Sequence, residues 1–231
     1  MDIVFLITTY NREESCQRLV DSLQGQGDII VLNDGCDYII SGCNQYFLSA
    51  HNGKQYYWAT VNWLFNLKGK HRYYFMLPDD FLPTPDMVNE AISIWNLIKD
   101  PRKICLNLYA DRIGVSCWTH VKPIDKGNYY HTQWMDMCFM CEERFFNILG
   151  MIPMTFFGQS SGVGAYISNF LHKRSYNLYQ VKESLVTIQP SHWISQMYNK
   201  NQKDDNSRCR KRSVPHRVFD TRRNKSRRTG R

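Results

Sequence analysis

The chain has 231 residues, of which 43% are hydrophobic and 14% aromatic, which is enough apolar surface for a packed core and excludes a wholly disordered chain. No run reaches the roughly 18 to 20 apolar residues of a membrane span, and Met1-Asp2 lacks the basic segment that opens a signal peptide. We therefore predict a cytoplasmic protein without a membrane segment.

The charge is concentrated at the end of the sequence. Lys and Arg number 29 against 21 Asp and Glu, a net charge of +8, and residues 201–231 alone contribute +9. This segment has few apolar residues, so we predict a disordered basic tail that follows one folded domain over residues 1–200. Its Arg and Lys side chains suit a polyanion such as DNA, because each neutralised phosphate releases counterions. A tail that only improves solubility is the alternative.

Three short apolar runs each end in a polar turn. Unbroken apolar runs between helical segments predict parallel strands that are buried on both faces, and ligands of such sheets bind at the carboxyl ends of the strands. The runs and their turns are residues 3–7 before Thr8-Thr9-Tyr10-Asn11-Arg12, residues 29–32 before Asn33-Asp34-Gly35, and residues 73–77 before Pro78-Asp79-Asp80. We therefore expect the three turns to meet in one crevice. The adjacent acids Asp79 and Asp80 suit a divalent cation, which commonly binds a diphosphate.

Helical patterns lie between the apolar runs. Cys16, Leu19, Val20 and Leu23 recur at i, i+3, i+4 and i+7, which predicts a helix packed on the sheet. After a third strand at 46–48, we predict a helix from about residue 54 to 67. Its stripe of Lys54, Trp58 and Asn62 can face a ligand, although an ordinary surface lysine beside a packed tryptophan is the alternative. Lys54 follows Gly53 at the helix start, where free backbone N–H groups attract phosphate.

The second half predicts further elements of an α/β fold. We expect a helix from the Pro83-Thr84-Pro85-Asp86 segment to about residue 98. Strands follow at 104–109 and 133–140, with helices at 142–149 and from the glycine-rich segment 156–164 to about residue 173. The folded part closes with the apolar run 185–188.

The order of these motifs resembles a known family. Ile7-Thr8-Thr9-Tyr10-Asn11-Arg12, Val31-Leu32-Asn33-Asp34-Gly35 and Leu77-Pro78-Asp79-Asp80 are similar to the nucleotide-binding half of GT-A fold glycosyltransferases of the family 2 type. The resemblance covers residues 1 to about 98 and continues more thinly to about 200. It implies a single Rossmann-like domain with a mostly parallel central sheet. Asn52-Gly53-Lys54, Tyr57-Trp58 and the late Ser191-His192 look most like phage-encoded, TET-associated glycosyltransferases, which are implicated in placing sugars on hydroxymethylated DNA bases.

The resemblance implies a role for several individual residues. Thr8, Tyr10 and Arg12 would line the base and ribose of a nucleotide sugar, Asp34 would read the uracil edge, and Lys54 would contact the diphosphate. The metal motif of the family is usually Asp-x-Asp, and Leu77 stands in place of its first Asp, which leaves the ribose contact open. Asp79 takes the metal-binding position with Asp80 beside it. The late histidine that many GT-A enzymes use as a metal ligand would be His192, for which an ordinary histidine is the alternative.

The resemblance implies the Mn²⁺- or Mg²⁺-dependent transfer of a sugar from a nucleotide-sugar donor, a UDP-sugar, to a hydroxyl. An inverting enzyme needs a carboxylate that removes the acceptor proton. We choose Asp136 in the predicted strand 133–140, where an Asp that caps the next helix is the alternative. The acceptor-site Glu-Asp pair of the family has no good match in residues 155–175, so inverting and retaining mechanisms both stay open.

The basic tail favours a 5-hydroxymethylated pyrimidine of DNA, such as 5-hydroxymethylcytosine, as the acceptor. A glycan or protein acceptor is the first alternative. A non-catalytic nucleic-acid-binding α/β module is the second, although residues 1–200 carry 17 basic and 18 acidic residues and would repel phosphate.

Overall fold

A computed structural model describes residues 2–110, 123–155 and 162–189. The predictions for His192, for the basic tail and for a domain boundary at residue 200 lie outside these residues. Within them, five α-helices and one short 3-10 helix (Lys54–Tyr56) are found, and the α-helices are α1 (Glu13–Leu23), α2 (Tyr57–Leu67), α3 (Met87–Leu97), α4 (Glu143–Leu149) and α5 (Val163–His172).

The described strands form one large sheet and one small sheet. In chain order the strands are β1 (Ile3–Thr9), β2 (Asp28–Asn33), β3 (Asn44–Phe47), β4 (Tyr73–Pro78), β5 (Phe81–Pro83), β6 (Lys103–Asn107), β7 (Ile124–Asp125), β8 (Tyr129–Thr132), β9 (Phe139–Cys141), β10 (Asn177–Val181) and β11 (Val186–Ile188). The large sheet has the order β3-β2-β1-β4-β9-β6-β10-β8-β7, and β5 pairs with β11. In the large sheet only β8 and β9 run against the other strands.

The central strands are buried because helices cover both faces of the sheet. In β1, Ile3, Phe5 and Ile7 pack into one core with α1 and α3, whereas Val4 and Leu6 pack into another with α2, α4 and α5. This alternation follows from the two-residue period of a strand. The predicted α/β class with a mostly parallel central sheet is therefore confirmed.

The first three apolar runs end at the same edge of the sheet. β1 pairs in parallel with β2 and β4, and the register aligns Thr9 with Asn33 and Thr8 with Pro78. The backbone N–H of Asp34 continues the ladder and donates to the Thr9 carbonyl at 2.8 Å. The predicted meeting of the three polar turns is therefore confirmed.

The strand predicted at 133–140 is wrong over most of its length. Residues 133–138 form a loop between β8 and β9, and only residues 139–141 pair with neighbouring strands. The loop is apolar because it packs beneath α5. Met135 is fully buried, its N–H donates to Ser168 Oγ at 3.0 Å, and a Cβ on Gly164 would lie 2.8 Å from its carbonyl oxygen.

The predicted ligand-facing stripe of α2 is also wrong at Asn62. This side chain is buried, and its amide donates to the Ile152 carbonyl at 2.8 Å and accepts from the Ile152 N–H at 2.9 Å. Asn62 therefore joins α2 to the segment after α4.

In the part of the chain that the structure describes, no helix is long and apolar enough to cross a membrane.

Candidate active site

Arg12 joins both carboxylates of the turn between β4 and β5. Its Nη1 atom lies 2.8 Å from Asp79 Oδ1 and 3.1 Å from Asp80 Oδ2. Thr9, at the end of β1, donates its hydroxyl to Asp79 Oδ2 at 2.9 Å. Hydrogen bonds therefore join the polar ends of β1 and β4. We call Asp79 and Asp80 the acidic turn.

The two carboxylates of the acidic turn differ in exposure. Asp79 is 5% exposed, whereas the Asp80 side chain is 21% exposed. Burial raises the pKa of Asp79 to about 6, and the adjacent Asp80 adds to this while Arg12 opposes it. Burial also works against the charge of Arg12, but Asp79 and Asp80 outweigh it and raise the pKa of the guanidinium. Arg12 therefore stays cationic.

Gln189 holds the backbone of the acidic turn from the opposite side. Its buried amide nitrogen lies within hydrogen-bond distance of the carbonyls of Ser15 (2.9 Å), Asp79 (3.2 Å) and Phe81 (3.1 Å). Its own N–H donates to the Asp80 carbonyl at 2.7 Å. Sequence reasoning missed this residue, because its partners lie more than 100 residues away in the chain and no local pattern links them.

Asp34 organises the neighbouring turn at residues 51–53. Its carboxylate accepts the N–H groups of Asn52 at 2.9 Å and Gly53 at 3.2 Å, and it lies 3.1 Å from His51 Nδ1. Gly35 is at φ 86°, and the space for its missing side chain is filled by the backbone of His51. Asp34 therefore fixes the start of the 3-10 helix that begins at Lys54.

Two further residues predicted for the donor site lie beside this turn. The rings of Tyr10 and His51 are stacked, with centroids 3.5 Å apart and planes 10° apart, and Tyr10 is 44% exposed. Lys54 is exposed at the first position of the 3-10 helix. Among the described residues Lys54 has no hydrogen-bond or ion-pair partner, so its ammonium group is available to an anion.

Thr8 lies close to the hydroxyl of Tyr57, a residue for which no role in the site was predicted. Thr8 Oγ1 and Tyr57 Oη are 3.5 Å apart. The pKa of Tyr57 is raised to about 12, mainly by burial. The charges of Asp79, Asp136 and Asp80 also raise this pKa, whereas the hydrogen bond with Thr8 lowers it. The hydroxyl therefore stays protonated and lies within electrostatic reach of both the acidic turn and Asp136.

Asp136 is held in its loop by the end of β6. Its N–H donates to Asn107 Oδ1 at 3.2 Å, and the Asn107 amide donates to the Trp134 carbonyl at 2.8 Å. One carboxylate oxygen of Asp136 accepts the Met137 N–H at 2.8 Å. The alternative role as a cap of α4 does not hold, because that helix begins at Glu143 with Glu142 in the capping position. Burial is the main cause that raises the pKa of the Cys138 thiol, and the negative charges of Asp136 and Asp80 add to this effect.

The acidic turn fits a divalent cation that takes its other ligands from a substrate. Within residues 2–110, 123–155 and 162–189, no group of three or more His, Cys, Asp or Glu side chains could hold a metal ion. Asp79 and Asp80 nevertheless direct two carboxylate oxygens at one point, which Arg12 Nη1 contacts. Mg²⁺ is usually bound through one or two carboxylates together with phosphate oxygens and water, so this donor set suits it.

No protein-family model matches the chain, and no curated protein sequence matches it. Many solved structures share its fold, and two of them are TarS and GalNAc-T7. TarS residues 1–349 from S. aureus superposes with a TM-score of 0.57 at 10% identity, over 82% of this chain and 60% of TarS. GalNAc-T7 with UDP, GalNAc and Mn²⁺ superposes with a TM-score of 0.57 at 12% identity, over 81% of this chain and 44% of GalNAc-T7. This chain thus spans less than two thirds of the length of either protein, and its described domain has the GT-A fold of these glycosyltransferases.

Proposed function

We propose that this protein is a metal-dependent glycosyltransferase that moves a sugar from a nucleotide-sugar donor, a UDP-sugar, to a hydroxyl group. The observation that carries the proposal is that three features lie together at the carboxyl ends of β1, β2 and β4 in a GT-A fold. They are the acidic turn, the turn at residues 33–35 that contains Asp34, and Lys54. Ligands of open α/β sheets bind at this edge. GalNAc-T7, which shares the fold, was solved with UDP, GalNAc and Mn²⁺.

Each side chain has a proposed role in donor binding. Tyr10 and Thr8 contact the base and ribose, and Asp34 accepts a hydrogen bond from the uracil ring while it orders residues 51–53. Lys54 and the N–H groups at the start of the 3-10 helix bind the diphosphate. A divalent ion held by Asp79 and Asp80 would neutralise the charge that develops on the departing diphosphate. His192 is a third candidate ligand for this ion.

We assign Asp136 the removal of the acceptor proton. Its carboxylate is separate from those of the acidic turn, and the charges of Asp136, Asp79 and Asp80 all raise the pKa of Tyr57. A carboxylate that binds the acceptor hydroxyl increases the nucleophilicity of the oxygen as the proton leaves. The loop contacts with Asn107 keep Asp136 in place for this task.

The acceptor that we propose is a 5-hydroxymethylated pyrimidine in DNA. The support is the net charge of +9 on residues 201–231, which suits a polyanion. Incubation of the protein with hydroxymethylated DNA and a panel of sugar donors, followed by mass spectrometry of the nucleosides, tests this directly. A hexose added to the nucleoside supports the DNA acceptor, and transfer only to a glycan or protein would replace it.

Donor binding is tested first by thermal shift. We expect UDP with Mn²⁺ to raise the melting temperature more than either alone, because a ligand that binds only the folded state stabilises it. Asp79→Ala should abolish this synergy and keep the fold. Retention of metal-dependent UDP binding in Asp79→Ala would contradict the assigned metal site, and no shift with any nucleotide would favour a non-catalytic module.

A further inference from the structure

The same nitrogen of Arg12 makes both ion pairs of the acidic turn. Nη1 lies 2.8 Å from Asp79 and 3.1 Å from Asp80, so the two carboxylate oxygens flank a single positive centre. A divalent cation bound by the same two oxygens would need the same space. Arg12 and the cation are therefore alternative partners of the acidic turn.

Neither carboxylate tolerates the loss of Arg12 without a replacement. Asp79 is buried, and Asp80 is beside it, so removal of the guanidinium would leave two like charges in a poorly solvated site. Arg12 itself can leave more easily. Its side chain is 37% exposed, and it belongs to the short connection between β1 and α1, outside both elements. The departure of Arg12 is therefore less costly when another cation takes its place.

A diphosphate at this edge of the sheet gives the released guanidinium a new partner. Guanidinium groups bind phosphate through paired, charge-assisted hydrogen bonds. On the basis of the proposed function, we propose that Arg12 neutralises the acidic turn in the free protein and transfers to the donor diphosphate when metal and nucleotide bind. This exchange makes Arg12 a diphosphate ligand and couples metal binding to nucleotide binding, so that the free protein holds metal weakly.

Mn²⁺ binding to the full chain, measured by electron paramagnetic resonance with and without UDP, tests the exchange. Arg12→Gln removes the competing cation, and we expect its nucleotide-free Mn²⁺ affinity to exceed that of the wild type by about tenfold or more, within the usual range of coupling between two ligands. UDP should then increase the Mn²⁺ affinity of Arg12→Gln much less than that of the wild type. Arg12→Lys keeps a cation within reach and should restore weak nucleotide-free binding.

Arg72→Gln is the matched control, because Arg72 is exposed at the opposite edge of the sheet, at the start of β4. Arg72→Gln should have the same Mn²⁺ affinity as the wild type, both with and without UDP. Equal nucleotide-free Mn²⁺ affinity in Arg12→Gln and the wild type would overturn the competition, and an unchanged effect of UDP would overturn the role as diphosphate ligand. A wild type that binds no UDP under any condition would instead refute the proposed function, while the nucleotide-free comparison would still decide whether Arg12 competes with metal.

Discussion

Asp79 is the residue at which burial and charge compete most directly. Its pKa of about 6 in the folded protein exceeds the value of about 3.9 for an unfolded Asp. The folded state thus binds the proton more tightly, so the contribution of Asp79 to stability is fully present below about pH 4 and is lost as the pH rises to about 6. Metal binding needs the carboxylate and should follow the opposite trend.

Asp79→Asn should remove this pH dependence. We expect the free energy of unfolding of the wild type, measured in urea from pH 4 to pH 7, to fall relative to that of the variant between pH 4 and pH 6. In the wild type, Mn²⁺ affinity in the presence of UDP should decrease as the pH falls through 6. Parallel stability curves for the two proteins would show that Asp79 does not titrate in this range.

Tyr57 provides a second test at the scale of one atom. Tyr57→Phe removes only the hydroxyl, whose contact with Thr8 is long at 3.5 Å, so the melting temperature should hardly change. If the hydroxyl donates to the donor sugar or diphosphate, turnover should fall about tenfold, the effect of one lost hydrogen bond of about 1 to 1.5 kcal/mol. Tyr56→Phe is the control, since Tyr56 is 51% exposed on the adjacent position. Equal turnover in both variants would remove Tyr57 from the site.

Strand-end residues were the most predictable part of the site. Thr8, Arg12, Asp34 and Asp79 each follow an apolar run, and the parallel sheet brings such positions together whatever the rest of the chain does. The partners of these residues were less predictable. Asp34 had been expected to meet only a ligand, yet it also binds the backbone of residues 52 and 53, because turn contacts depend on how β2 and the 3-10 helix approach each other.

At the scale of elements, Gln189, the residue directly after β11, supports the acidic turn. Gln189→Leu keeps the approximate volume but leaves the carbonyls of Ser15, Asp79 and Phe81 without this donor. We expect a loss of about 1 to 3 kcal/mol in the free energy of unfolding, the usual cost of buried groups without partners. Affinity for UDP with Mn²⁺ should fall as well, because the turn loses its support.

Gln26→Leu is the comparison for this change. The Gln26 amide donates to the Ser22 carbonyl at 2.9 Å from a partly exposed position after α1, far from any proposed ligand. Urea unfolding and calorimetry with UDP and Mn²⁺ should show near wild-type values for Gln26→Leu. Equal effects of the two substitutions would mean that Gln189 does not support the site specifically.

The loop at 133–138 shows why an apolar run does not always form a strand. Met135, Met137 and Cys138 are all buried, as the periodicity of a fully buried strand requires. Met135 and Met137 instead belong to the core that contains α5, and Cys138 belongs to the core that contains α1 and α3. The loop backbone donates hydrogen bonds to the side chains of Asn107 and Ser168. Hydrophobicity alone reports burial, and only the hydrogen-bond partners decide between strand and loop.

At the scale of the whole molecule, deletion of the tail tests whether the proposed DNA binding is separate from the proposed donor chemistry. Deletion of residues 201–231 should flatten the salt dependence of DNA binding, because log K changes with log salt by about −0.9 for each phosphate contact. Hydrolysis of the sugar donor should be nearly unchanged, since the proposed crevice involves residues before 201. Transfer to long DNA should fall much more than transfer to a free nucleoside.

The two acceptors identify what the tail contributes. Equal loss with DNA and with the nucleoside would mean that the tail belongs to the catalytic site. No loss with either would leave the tail a solubilising segment and would favour a glycan acceptor. Activity assays at several salt concentrations, with the intact chain as reference, distinguish these results.

The first half of the fold was more predictable than the second. β1, β2, β4, α1 and α3 each follow the local periodicity of their apolar residues. β10 and the β5-β11 pair were not predicted, because short strands gain their stability from partners far along the chain.

The position of β9 also sets an order of assembly. β9 inserts between β4 and β6, so the edge of β4 has no strand partner until residues 139–141 have been synthesised. The strands β3, β2, β1 and β4 pair with one another by residue 78. A nascent chain that has paired these four strands therefore exposes a hydrophobic strand edge, a hazard for aggregation that lasts over about 60 further residues of synthesis.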